Sequence, residues 1–373
     1  MHEYRKLLET ILSKLLTIPT APFRQDGVLG FIKSYAEGLG FAYDQDDMGN
    51  IIVSVGGNVD STLAIEAHTD HPGFIIAENS DGPRVNAMFY GFVEEEYFAG
   101  TAVNVYTNAG IVGGRVVSTD FTHKDDQIKK VVLQIDGPVS RGDLATWALD
   151  DYRFDGDLVH SRAIDDLGGC AAILAVMKLA ADQNESKSFK AIFTVAEESG
   201  LNGAKYIASC GRLSKEMNII TVETSSLLAG APAGDGAVIR VGDRMNVFDN
   251  GLLKYMECCA KKIKKEKDEF LYQRKLMDGG TCESSIYQKF GYRTAAMCVP
   301  LGNYHNRDVD NKRIAQEYIN LNDLAGLVML FEKMLEKSDE IEKHTNHTKH
   351  SITEEVRDLG ERIIHINNAE KHP

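Results

Sequence analysis

The chain reads as an α/β protein whose mixed sheet carries helices on both faces, with a small all-β segment inserted into it. Three observations lead there. From about Leu158 onward, apolar runs of strand length alternate with helical stretches, the rhythm of a sheet covered on both sides. Two strand patterns, Ile51–Val55 and Leu63–Ala67, stand before residue 73. Between Gly73 and Asp150 the runs are short, β-rich and separated by Gly, Asn and Asp turns, with no helical period among them. That texture is a small barrel or sandwich.

Each element follows from its spacing. Residues 4–16 and 28–39 carry apolar positions three and four apart and are read as helices. The runs GFIIAE, RVNAMFYGFV, TAVNVYT, GIVGGRVVS and KKVVLQI make up the β-rich block. A helix over 168–182 precedes a strand over Lys190–Ala196, and a helix over 203–210 precedes a strand over Asn218–Glu223. A long helix with a basic face over 251–266, a strand over Thr294–Val299 and a helix over 322–337 complete the set. The α/β part is therefore discontinuous, residues 1–72 plus 156–345, with 73–155 inserted. Residues 346–373 form a peripheral tail. The segment after residue 338 holds five of the eleven histidines, and His344, His347 and His350 are spaced three apart in a solvated stretch.

Bulk composition narrows the function. With 41 Lys and Arg against 55 Asp and Glu, the formal charge is −14. No basic stripe is interleaved with aromatics, which argues against nucleic acid and anionic membranes as partners. Six scattered cysteines without a Cys-x-x-Cys fit a reducing, cytoplasmic setting better than a disulfide framework. The first helix has interspersed charges and lacks the apolar core of a signal peptide. No run approaches the roughly 18 to 20 apolar residues that span a bilayer.

Polar residues at the ends of apolar strands carry the chemistry. His68-Thr69-Asp70 follows LAIEA, and a period of two turns His68 and Asp70 to one side. A carboxylate there can hold the far N–H of the imidazole; a surface turn is the plainer reading. Asp165-Asp166 precedes two glycines and an apolar helix. One aspartate suffices to cap that helix, and a cation bridged by the other accounts for the pair. Glu197-Glu198 ends AIFTVA, where one carboxylate can bind a metal while its neighbour takes a proton from water; a solvated strand end is the alternative. Glu223 ends NIITV and His305 follows VPLGNY. Each is weak alone. Together they gather at the carboxyl ends of strands, where open α/β sheets bind ligands.

In this order AHTD, RAIDDLGG, TVAEESGLNGAK, VET and GNYHN, with GDGAVIRVGD and DGGTCESSIYQKFG, resemble metallopeptidase family 42 over residues 5 to 340. This family comprises the deblocking or glutamyl aminopeptidases and the tetrahedral dodecameric enzymes. The resemblance implies the architecture of the co-catalytic zinc exopeptidases. It implies two divalent ions per subunit, Zn or Co, with Mn also open. His68, Asp165 and Glu223 would hold one ion, and Asp165 would bridge to a second held by Glu198 and His305. Glu197 would act as general base on a metal-bridged water, Asp70 would orient His68, and Asp166 would support Asp165. The inserted block would be a dimerisation domain, and the assembly a homo-oligomer from dimer to dodecamer acting on peptides. Four departures stand out: Glu223 where the family has Asp, Leu167 where it has Arg, His71 where it has an acidic residue, and Cys282 where it has Asp. Glu223 also fits a carboxypeptidase- or deacylase-like amidohydrolase, and a catalytically silent oligomeric relative is a further expectation to set against the aminopeptidase.

Overall fold

The computed structural model describes residues 1–56, 62–121, 128–183, 188–227, 230–343 and 356–360. The tail histidines His344, His347 and His350 lie outside the described residues. An 11-stranded mixed sheet forms the centre. Its middle is four parallel strands in the order Phe189–Thr194, Leu63–His68, Asn218–Ser226 and Arg293–Gly302. Antiparallel strands flank them: Ile51–Val55 and Tyr43–Gln45 on one side, Glu317–Asn320, Leu158–Ser161 and Tyr152–Asp155 on the other. Ala237–Gly242 also pairs antiparallel with Arg293–Gly302 and carries Tyr272–Leu276 at its outer edge.

Alternation along these strands explains the two helical layers. Ile65, Ile220 and Val222 pack into one apolar cluster with helices His2–Leu15, Leu167–Asp182, Asn250–Glu266 and Leu321–Glu336. Their neighbours Ala64 and Ile219 face the other way, against Ala204 and Ile207 of helix Asn202–Cys210 and Ile286 of helix Glu283–Lys289. The first helix buries Leu8, Ile11, Leu12 and Leu15, a single stripe at helical spacing. Leu167–Asp182 is apolar almost all round because it lies between the sheet and two further helices.

Residues 73–147 depart from the sheet and return. Strands Gly73–Ile76, Arg84–Tyr90, Ile128–Ile135, Gly110–Asp120, Ala102–Thr107 and Leu144–Trp147 close into a barrel in that order. Val85, Ala87 and Phe89 alternate inward. Phe74, Phe89, Phe98 and Trp147 fill the interior edge to face, Phe74 lying 4.8 Å from both Phe89 and Trp147, an arrangement aromatic quadrupoles favour. The barrel ends at Trp147. Tyr152–Asp155, which by sequence falls within the insertion, pairs with Leu158–Ser161 across a tight Gly156-Asp157 turn and so joins the main sheet. Ala237–Gly242, Tyr272–Leu276, Glu317–Asn320 and helix Glu283–Lys289 are further elements not anticipated from spacing. No helix among the described residues is long and apolar enough to cross a membrane.

Candidate metal centre

The four parallel strands bring their carboxyl ends to one edge, and the polar residues singled out above meet there. His68 is the last residue of its strand. Glu197 and Glu198 follow the strand ending at Thr194, and His305 follows the strand ending at Gly302. Glu223 lies inside its strand, opposite Cys298. Asp165 arrives from the turn before helix Leu167–Asp182. Asp166 caps that helix, its Oδ1 accepting the Gly169 N–H at 3.1 Å. A side chain at Gly169 would stand 2.1 Å from Asp166 Oδ2, which explains the glycine after the acidic pair.

Asp165 sits between the two histidines. Its Oδ1 is 3.3 Å from Nε2 of His68, and its Oδ2 is 3.6 Å from Nε2 of His305. His305 Nε2 and Glu198 Oε1 are both buried and approach to 3.1 Å. With the imidazole neutral, the two atoms are placed to share a cation. Ligand atoms of His68, Asp165 and Glu223 lie within 4.8 Å of one another, as do those of Asp165, Glu198 and His305. Glu197 joins His68 and Glu198 in a third such set. Two imidazole nitrogens with carboxylate oxygens suit Zn, Co or Mn.

Main-chain contacts orient the groups. His68 Nδ1 faces the Asp70 carbonyl at 3.1 Å, and His305 Nδ1 faces the Phe92 carbonyl at 2.7 Å. A carbonyl only accepts, so each Nδ1 carries the proton and each Nε2 is left for the centre. The Asp70 carboxylate acts elsewhere, accepting the N–H groups of Glu197 and Glu198, both at 3.0 Å. Its nearer oxygen is 3.8 Å from the His68 ring. The close contact to His68 thus comes from the Asp70 main chain, while the carboxylate fixes the turn that aims both glutamates. Thr224 donates to Asp165 Oδ1 at 3.1 Å.

Glu317 is a functional neighbour that sequence reasoning missed. It is fully buried, and its carboxylate accepts the N–H groups of Ile164 and His305 at 2.8 Å and of Asp165 at 3.1 Å. His305 has left-handed backbone, φ 56° and ψ 37°, a conformation that a non-glycine residue holds only when its surroundings dictate it. His71, in place of an acidic residue, bonds the Asp165 carbonyl at 2.7 Å and Asn306 Oδ1 at 2.9 Å. Glu283, which in the sequence is merely the neighbour of Cys282, places a carboxylate oxygen within 4.8 Å of ligand atoms of Glu197 and Glu223.

Electrostatics fit a place for cations. Burial disfavours a charged imidazole at His305, but the Glu198 and Asp165 carboxylates outweigh it and raise its pKa to about 10. His68 is likewise held well above the ordinary imidazole value, against its burial, by Asp165 and Glu197. Burial acts to raise Asp165, yet the two imidazoles hold it below the ordinary carboxylate range. Burial pushes Asp70 up to about 6 and raises Glu197 and Glu223 well above their usual values. The carboxylate cluster thus favours positive charge on both imidazoles.

A small cleft of about 70 Å³ opens beside Glu223, lined also by Ser226, Arg240, Thr281 and Tyr304. Arg240 is buried, with Nη1 3.3 Å from Ser225 Oγ and no partner for Nε among the described residues.

The family model for M42 glutamyl aminopeptidase matches residues 49–321. The chain belongs to the M42 glutamyl aminopeptidase family. This M42 chain is a metal-dependent peptide hydrolase of the aminopeptidase class. A relative from Acetivibrio thermocellus with an aminopeptidase name is 27% identical over 278 residues, 70% of this chain and 80% of the relative. The TET1 peptidase of Pyrococcus horikoshii, described as assembling into a tetrahedron or an octahedral shell, superposes with a TM-score of 0.72 at 24% identity, covering 88% of this chain and 99% of that one. A TET aminopeptidase from a marine sediment archaeon of the Thaumarchaeota gives 0.76 at 18% identity, covering 91% and 99%. Both structures share the fold of the M42 chain.

Proposed function

We propose that this aminopeptidase works with two divalent ions, one held by His68, Asp165 and Glu223 and the other by Asp165, Glu198 and His305. The observation that carries this reading is Asp165, with one carboxylate oxygen toward each histidine. Zn or Co, or Mn, bound there supplies Lewis acidity toward the scissile carbonyl and makes water more acidic. Glu197 is the general base: its carboxylate takes a proton from the attacking water and returns it to the departing amine. Asp70 holds the Glu197-Glu198 turn and, through its carbonyl, the His68 ring. Asp166 supports Asp165 from the helix cap. Metal content per chain, measured with turnover of a free-amine peptide panel, tests the assignment. Glu197→Gln is expected to keep two metals per chain and to lower kcat by a factor of roughly 10² to 10⁴. Wild-type turnover in that variant removes Glu197 from the reaction.

The cleft favours an acidic N-terminal residue. Arg240 is a buried guanidinium whose Nε has no partner among the described residues, and a carboxylate entering beside it can pair with two donors at once. Arg240→Met is expected to abolish a preference for glutamyl over leucyl substrates, with leucyl turnover kept; an unchanged ratio overturns this specificity.

The chain is read as two domains, residues 1–72 and 156–345 catalytic and 73–155 inserted; within the insertion the barrel of residues 73–147 serves as a dimerisation element, while Tyr152–Asp155 joins the catalytic sheet. The assemblies of the TET relatives support a homo-oligomer. Six unpaired cysteines agree with a cytoplasmic location.

A further inference from the structure

We infer that Glu283, together with Glu197 and Glu223, forms the seat for the free α-ammonium of the substrate. The inference rests on the aminopeptidase reading and adds a residue to it. Carboxylate oxygens of these three glutamates lie within 4.8 Å of one another. An ammonium has three N–H donors, and charge-assisted bonds of about 2.8 Å radiating from one nitrogen reach oxygens spaced this way.

One more observation points to a missing cation. Glu283 is 1% exposed, and among the described residues its Oε2 has no hydrogen-bond partner, while Oε1 accepts from the Thr194 hydroxyl at 3.3 Å. Glu66, wholly buried on the His68 strand beside the Tyr287 hydroxyl, lies close enough to feel the charge of Glu283. A buried carboxylate oxygen without a partner is costly, and a cation entering beside Glu283 relieves it. Glu223 of this set and Thr281, two residues before Glu283, line the cleft. Glu283 thus acts as a specificity-determining residue, selecting chains with an unblocked N-terminus and placing their first carbonyl near Asp165.

The test uses the metal-loaded enzyme. Glutamyl-, alanyl- and leucyl-p-nitroanilides are compared with their des-amino counterparts, in which hydrogen replaces the amine. Wild type is expected to favour the amine in every pair, and E283Q to lower that preference on the order of 10- to 100-fold, mainly through KM. E283D is expected to keep part of it. An unchanged preference in E283Q overturns the inference. A third metal per chain in wild type that E283Q loses also overturns it, by assigning the seat to a metal. Calorimetry on wild type alone, with L-glutamate against glutarate, guards against a variant that fails to fold; equal affinities overturn the inference. Failure of the aminopeptidase reading looks different, since the wild-type enzyme would then leave all free-amine substrates intact.

Discussion

The main-chain carbonyl of Phe92 lies 2.7 Å from Nδ1 of His305. Phe92 belongs to the turn that follows barrel strand Arg84–Tyr90, so a residue of the barrel region fixes the ring of a proposed metal ligand on the main sheet. Two residues further on, Glu94 receives both Nη1 contacts of Arg307, at 2.6 and 2.7 Å. The barrel is therefore tied to the His305 loop at two points.

That tie predicts a separation of metal affinity from stability. Arg307→Ala removes the Glu94 clamp, and with the Glu94 side chain 47% exposed water screens the pair, so losing the ion pair should cost below about 1 kcal/mol of folding stability. Groups that orient a ligand matter more to the metal: affinity at the His305 position should fall roughly 10-fold. Calorimetric titration of the metal-free variant checks this, with affinity at the His68 position as the internal reference. An equal loss at both positions would show that the clamp acts on the whole centre.

Metal uptake should release protons. His305 has a pKa near 10 in the protein without metal, so it is protonated at pH 7, whereas a ligand must be neutral. Affinity is expected to rise with pH up to about 10. Titrations in buffers of different ionisation enthalpy count the protons released; a count of zero at pH 7 rejects the imidazolium state. The same shift sets the stability of the metal-free protein. Its folded pKa exceeds the ordinary value of 6.5, so this stabilisation is complete below about pH 6.5 and fades as the pH climbs through 10. The metal-free Tm should fall over that range, and the fall should be smaller with metal bound.

Some of this site could be read from the residues alone, for a physical reason. His68, Asp165, Glu197, Glu198, Glu223 and His305 are polar groups abutting apolar runs, and a run that must be buried pulls its polar end into the interior. The β-rich texture of the inserted region was visible for a similar reason, because inward positions such as Val85, Ala87 and Phe89 alternate with outward ones. What stayed hidden depends on tertiary placement. Glu317 sits in a four-residue strand, and no spacing reveals that its carboxylate meets three distant N–H groups. The Phe92 contact uses a carbonyl, which every residue possesses. Arg240 lies in a strand like any other cation until its neighbours prove to be a cleft and a serine. Glu283 is overshadowed by the departure at Cys282 beside it.

Glu317 gives the sharpest test of how the centre is held. Glu317→Ala leaves the N–H groups of Ile164, Asp165 and His305 without their carboxylate in a fully buried place. Unsatisfied buried donors cost about 1 to 3 kcal/mol each, lessened where water enters, so a loss of roughly 3 kcal/mol in denaturant unfolding is expected. Glu317→Gln keeps one acceptor oxygen but turns an NH₂ group toward an N–H, and it should lose somewhat less. The decisive reading is metal content. Both Asp165 and His305 hang on this carboxylate, so the two variants should lose metal in the order of their destabilisation. An alanine variant that is destabilised yet keeps wild-type metal affinity would show that Glu317 supports only the fold, leaving Thr224 and the Phe92 carbonyl to orient the site.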